Sequence, residues 1–202
     1  MVINPAAMWI NSTFAAFDQY ITLLVHNLYN LCGSFFTPFF EFISFLGHDG
    51  IPLIIISAIL IVFKKTRKFG VAMLLSIAVG ALFTNCCLKL IVARPRPYAD
   101  VNSVYYKLWQ TVGMNTESDK SFPSGHTTAA FAFSTAIYLV GNRKISWTAY
   151  IFAILMAISR IYLVVHYPSD VLAGIIVGII AGFIGTFIAR KLPRKIYQGY
   201  GF

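Results

Sequence analysis

Long apolar runs, broken at regular intervals by short polar clusters, dominate the chain. Read against the roughly 20 residues needed to cross the hydrocarbon core of a bilayer, the runs at 51–63, 69–92, 126–141, 145–163 and 170–189 predict five membrane-spanning helices, the first expected to begin near Phe42. The stretch from Phe14 to Phe45 differs, because Asp18, Gln19, His26, Asn27, Asn30 and Glu41 interrupt its aromatic and aliphatic residues at helical spacing. It predicts one or two helices lying partly in the membrane interface, with a sixth span as the alternative. The expectation is an all-α, polytopic membrane helix bundle of about five or six transmembrane helices with N-terminal interfacial helices. It forms one domain over 1–202: interfacial or partly spanning helices in 1–45, a helical core in 46–190 and a cytoplasmic tail in 191–202.

Composition sharpens this picture. With 58% apolar and 11% charged residues and a mean hydropathy of +0.73, the chain lacks the polar surface of a soluble globule, where about a quarter of residues are charged. The N-terminus lacks the basic region of a cleavable signal peptide, so the first apolar segment is expected to act as an uncleaved insertion signal. Cys32, Cys86 and Cys87 have no metal-ligand spacing and do not suggest a disulfide framework. The vicinal pair reads as packing within an apolar helix. Asn11-Ser12-Thr13 matches a glycosylation acceptor, a pattern too short to carry weight.

The net charge of +9 reflects topology. Lys64, Lys65, Arg67 and Lys68 follow the first span, Arg143 and Lys144 separate the third from the fourth, and Arg190, Lys191, Arg194 and Lys195 follow the fifth. With five spans these clusters share one side, cytoplasmic by the positive-inside rule, and the C-terminus lies there too. All seven acidic residues fall elsewhere. A nucleic-acid partner is therefore not expected.

Three polar clusters lie at the opposite ends of the spans: Lys89 to Pro97, Pro123 to His126, and Ser159 to Asp170. His166 and Asp170 are four residues apart, with Pro168 suited to the first position of a helix. The carboxylate could then accept the Nδ1 proton of a neutral imidazole and leave Nε2 as a nucleophile. Ser124 suits an N-cap, after which Gly125 and His126 open a helix whose free amides attract anions. His126 could protonate a leaving oxygen. Lys89, Arg96 and Arg160 could hold the equatorial oxygens of a phosphoryl group in its transition state. No carboxylate cluster suited to magnesium is evident, so neither a metal nor another cofactor is expected.

Each cluster also has an ordinary explanation. Arg-Pro-Arg-Pro can anchor a helix at the interface, Pro-Ser-Gly-His can arise by chance, and an arginine near a helix end can snorkel. Taken together, in this order and on one face of the bilayer, ionisable groups so costly to place point to function.

The three motifs resemble those of the type 2 phosphatidic acid phosphatase superfamily, which also includes bacterial acid phosphatases and vanadium haloperoxidases. Its pattern of Lys, six residues, Arg-Pro is met by Lys89 with Arg96-Pro97. Pro-Ser-Gly-His is met by residues 123–126, and Ser-Arg, five residues, His, three residues, Asp by Ser159-Arg160, His166 and Asp170. The resemblance implies a metal-independent lipid phosphatase. In it His166 forms a phosphohistidine, Asp170 orients it, His126 protonates the leaving group, and Lys89, Arg96, Ser124, Gly125 and Arg160 bind the phosphate. Arg94 lies outside the pattern.

Gly174, Gly178 and Gly182 form a small-residue seam suited to close helix packing. His48 and Asp49 could line a substrate entrance or form a turn, and Glu117 and Asp119 are expected in a solvated loop.

Topology places the site on the extracytoplasmic side of the plasma membrane. The expected reaction is hydrolysis of undecaprenyl diphosphate to undecaprenyl phosphate at the outer leaflet, a step of cell-wall biogenesis. Phosphatidylglycerophosphate or phosphatidate phosphatase activity is the alternative. A lipid phosphotransferase, and a non-catalytic lipid-phosphate binder or transporter, are further readings. The expected partners are the bilayer and a phospholipid or polyprenyl phosphate substrate.

Overall fold

A computed structural model describes residues 4–197. The described residues form α1 (Pro5–Phe45), α2 (Ile51–Val62), α3 (Arg67–Ala81), α4 (Lys89–Val92), α5 (Val104–Thr111), α6 (Gly125–Val140), α7 (Arg143–Ser146), α8 (Ala149–Tyr162) and α9 (Pro168–Lys191), with no strand among them. A π-helical segment, Leu82–Leu88, joins α3 to α4. Part of the expected tail, 198–202, lies outside the described residues, as do the side chains of Arg194 and Lys195.

Local chemistry starts the helices where the sequence suggested. Asn4 accepts from the amide of Ala6 at 2.9 Å ahead of Pro5 in α1, and Ser124 is the N-cap of α6. Pro168 opens α9, where its missing N–H costs nothing.

Among the described residues, four stretches are long and apolar enough to cross a membrane: Pro5–Val62, Arg67–Ala99, Arg143–Tyr162 and Pro168–Lys191. The remaining predicted span, 126–141, is α6. At 1.5 Å per residue, its 16 residues reach about 24 Å, less than the ~30 Å hydrocarbon thickness. It nevertheless runs from the motif end at Gly125 to the basic end beside Leu139, as the hub of the bundle, buried along 126–136 and packed on α3, α8 and α9. The first predicted span does not begin near Phe42. That residue belongs to α1, and the chain turns over 46–50, where Asp49 and Gly50 take positive φ values of 49° and 71°, before α2 starts at Ile51.

The N-terminal stretch is one helical element bent at Cys32, whose φ/ψ of −162°/73° is not helical. Gly33 and Pro38 weaken the helix at and beyond this point. Both arms return to the same end of the bundle. Asp18 on the first accepts from the Ser169 amide at 2.7 Å. On the second, Thr37 bonds Tyr162 at 2.8 Å and Ser44 accepts from Arg160.

The glycine seam brings α9 against α6. A Cβ at Gly174 would lie 2.8 Å from the Ser124 carbonyl, at Gly178 2.7 Å from the Thr128 carbonyl, and at Gly182 2.4 Å from Thr135 Cβ. No larger residue fits without parting the helices. The opposite face of α9 presents Ile176, Phe183 and Phe187 outward, an apolar surface that suits lipid. At the far end of the bundle Arg190 donates to the Leu139 carbonyl at 2.8 Å and Arg67 to the Ile196 carbonyl at 3.2 Å, so the basic clusters gather there. The three polar motifs converge at the other end.

Candidate active site

Each motif reaches this end on a different kind of support. Lys89 follows the π-helical segment, and its amide bonds the Thr84 carbonyl, five residues back. The extra residue per turn aims Lys89 and Asn85 at one cavity. Ala93, at φ 49°, ends α4 and redirects the chain through Pro95 to Arg96. The second motif is held by the amide of Ser124, which donates to the Asp170 carbonyl at 3.1 Å. In the third, the amides of Val165 and His166 share the Arg160 carbonyl at 3.3 Å, forming the tight turn between α8 and α9.

These supports enclose a cavity of about 330 Å³ lined by Lys89, Arg96, Gly125, His126 and His166 among others. Gly125 matters sterically, since a Cβ there would stand 3.4 Å from Lys89 Nζ. Three sequence-predicted residues lie behind the lining. The Ser124 hydroxyl serves the helix cap, taking a hydrogen bond from the Thr127 hydroxyl at 2.9 Å. Arg160 is buried behind Glu117, and Asp170 is 0% exposed beneath His166. The apolar side of the cavity is supplied by Ile54, Ile77 and Ala81. Asp49 lines the cavity as well, while the His48 ring lies tilted at a centroid distance of 6.3 Å from that of His126.

Arg96 Nη1 lies 2.8 Å from His166 Nε2 and 2.8 Å from the Val165 carbonyl. Because a guanidinium only donates, Nε2 accepts there and the ring proton resides on Nδ1. Burial, reinforced by Arg96, Arg160 and Lys89, drives the His166 pKa well below the ordinary imidazole value. The imidazole is therefore neutral, as attack requires. The predicted Asp170–His166 hydrogen bond is not closed: Oδ2 stands 3.7 Å from Nδ1, which is buried without a partner. That oxygen instead accepts from the Ser121 hydroxyl at 2.5 Å and the Tyr167 amide at 3.0 Å. Catalytic contacts of this kind commonly tighten only once substrate binds. The Nε2 of His126 is likewise buried and unpaired, beside the cavity.

Glu117 and Asp119 lie in a largely exposed loop, as expected, but their carboxylates turn inward onto the cations of the site. Asp119 pairs with both Lys89 and Arg96, and Glu117 with Arg160. Although burial opposes its charge, Lys89 and Arg96 hold the Asp119 carboxyl below its ordinary pKa. Sequence reasoning missed these acids because their loop is polar and lacks periodicity. The available signal was electrostatic: cations at a buried site require counter-charge when no anionic ligand is present. Asp18 and Ser121 were also missed as site components. An aspartate in an otherwise aromatic helical face was the clue to the first.

Comparison with known proteins follows the same residues. The model of the PAP2 superfamily matches residues 69–194. Among curated relatives, an undecaprenyl-diphosphatase of Sulfolobus acidocaldarius is 30% identical over 59% of this chain and 54% of its own length. Undecaprenyl-diphosphatase BcrC of Bacillus subtilis is 40% identical over 48% of this chain and 46% of its own. The chain thus spans about half the length of these two curated relatives. The crystal structure of a transmembrane PAP2-type phosphatidylglycerolphosphate phosphatase from Bacillus subtilis superposes with a TM-score of 0.68 at 27% identity, covering 94% of this chain and 92% of that one.

Proposed function

This chain belongs to the PAP2 superfamily, and from that premise we propose that it is a membrane lipid phosphatase acting on a phosphate or diphosphate lipid, with undecaprenyl diphosphate as its substrate. The observation that carries this reading is the convergence of Lys89, Arg96, His126 and His166 on one cavity with an apolar side. A lipid phosphate needs both halves of such a site.

Nε2 of His166 attacks the terminal phosphorus in line, while Arg96 swings from that nitrogen to the phosphoryl oxygens. Lys89 and Arg160 take the remaining charge as Asp119 and Glu117 give way. The bond from phosphorus to the bridging oxygen breaks, and His126 supplies the proton to that oxygen, releasing the lipid monophosphate. Water, deprotonated by His126, then attacks the phosphohistidine and frees inorganic phosphate. Ser124 holds the opening of α6, so that Gly125 and the first amides face the phosphate. Asp170 stabilises the imidazolium character that His166 acquires during attack. The cations do the work that a metal would do elsewhere, so activity is expected to persist in EDTA.

The basic clusters at the opposite end of the bundle support, through the positive-inside rule, a site on the extracytoplasmic side of the plasma membrane and a cytoplasmic C-terminus. On this reading α1 wraps the site within the outer interface.

A phosphatidylglycerophosphate phosphatase is the second reading, favoured by the structural likeness to the Bacillus subtilis enzyme. Purified protein in detergent, given a panel of lipid mono- and diphosphates, distinguishes the two. Undecaprenyl diphosphate should release phosphate with the highest kcat/KM. Preference for phosphatidylglycerophosphate would replace the substrate assignment, and no release from any member would overturn the phosphatase reading.

A further inference from the structure

Arg94 stands two residues from Arg96, on the other side of Pro95, yet it is turned away from the cavity and is 1% exposed. Its guanidinium donates to four side chains: Nη1 to Asp170 Oδ1 at 2.5 Å and Ser169 Oγ at 2.8 Å, Nη2 to Asp18 Oδ2 at 2.8 Å, and Nε to Asn11 Oδ1 at 2.8 Å. The Tyr167 ring covers it at 3.8 Å. Asp18 also accepts from the amide and hydroxyl of Ser169, at 2.7 and 2.8 Å. Segments distant in sequence thus close around one carboxylate, that of Asp170.

We propose that Arg94 and Asp18 are positioning residues that hold the Asp170 carboxylate toward Nδ1 of His166 and keep it negative there. The inference rests on His166 being the nucleophile. Charge balance makes the case. Arg94 alone would neutralise Asp170, to which it is bonded; Asp18 shares the guanidinium, so that two carboxylates and one cation leave a net single negative charge. That charge faces His166, where positive character develops as Nε2 attacks. Arg94 does not line the cavity, and four of its five N–H donors are engaged, so a phosphate would have to displace two buried carboxylates to reach it. Groups one layer behind a reacting side chain commonly contribute ~10–100-fold to activity when they fix its orientation and basicity.

The test is Asp18→Asn, which keeps the shape but removes the charge, studied as the whole protein in detergent. Melting, steady-state kinetics with lipid diphosphate, and the 15N resonances of His166, assigned by their absence in His166→Gln, are read together. The expected result is a fall in kcat of ~10-fold with KM unchanged and a movement of the His166 ring signals toward the Nε2-protonated tautomer. Unchanged kcat with unmoved ring signals would overturn the proposal, and so would a raised KM at constant kcat, which would place the cluster against the substrate. If Asp18→Asn fails to fold, Ser169→Ala removes only the hydroxyl that joins Arg94 to Asp18, and the same changes should appear a few-fold in size. Should the protein hydrolyse no lipid phosphate, the proposed function fails, but the ring resonances still decide whether Asp18 governs His166.

Discussion

Arg94 and Arg96 make a natural pair for comparison, since both are buried and both bind carboxylates. The partners of Arg94, Asp18 and Asp170, are 2% and 0% exposed. Asp119, which pairs with Arg96, is 46% exposed and sits on the loop before α6. The first set is closed to water and hydrogen-bonded throughout; the second can be exchanged for an incoming anion. Burial of a cation therefore does not by itself mark a substrate site. What separates the two arginines is whether the counter-charge can leave.

Removing Arg94 is the severest test of this difference. Arg94→Ala leaves two carboxylates buried without their cation, which should cost about 3–5 kcal/mol of stability, read as a lowered melting temperature in detergent. Arg96→Ala should instead leave melting unchanged and reduce kcat/KM by about 10²–10³-fold. If both variants melted alike, the distinction between fixed and exchangeable counter-charge would collapse. A smaller effect is expected at the loop. Asp119→Asn should tighten inhibition by inorganic phosphate by about 2–5-fold, the range of a partly exposed pair, with the gain shrinking at high salt. Weaker phosphate binding in that variant would mean that Asp119 orients the cations instead of competing for them.

Titration gives the mildest adjustment. Burial depresses the His166 pKa, so the imidazole stays neutral down to a pH below its ordinary 6.5. Protonation removes the attacking lone pair, so the acid limb of kcat/KM attributable to His166 should lie below pH 6.5, a placement checked by a pH–rate profile. The Asp119 carboxyl is depressed as well. Its ion pairs are present above the ordinary carboxyl pKa and are lost only as pH falls through the lower folded value, so they persist across the pH range of such a profile.

The residues proposed for the chemistry stand out in the sequence because their spacing is local. Asp170, four residues after His166, falls in the first turn of the helix that Pro168 opens, and Ser124 before Gly125 announces a helix start. The helical, membrane-suited architecture was legible from the apolar runs. Contacts set by tertiary closure were not. Asp18 meets Arg94 across 76 residues, and no periodicity records such a pairing. Glu117 and Asp119 look like solvent-exposed loop residues until the cations they neutralise are brought beneath them. The extent of α1 was also hidden, since its polar residues, read without their buried partners, suggested an interfacial segment starting later than Pro5.

The π-helical segment before Lys89 carries a consequence for how this chain tolerates insertion and deletion. Its amide-to-carbonyl link from Lys89 to Thr84 accommodates one residue more than a regular α-helical turn. Each residue advances an α-helix by about 100°, so loss of one residue between Leu82 and Leu88 would close the wide turn to an ordinary one and leave the phase nearly unchanged, whereas gain of one more would rotate everything after it out of phase with α3. Lys89 would then point to lipid or to a neighbouring helix, although no catalytic residue had been changed. A one-codon insertion in this apolar stretch should thus silence the site as surely as a substitution within it, and a one-codon deletion should be the better tolerated of the two.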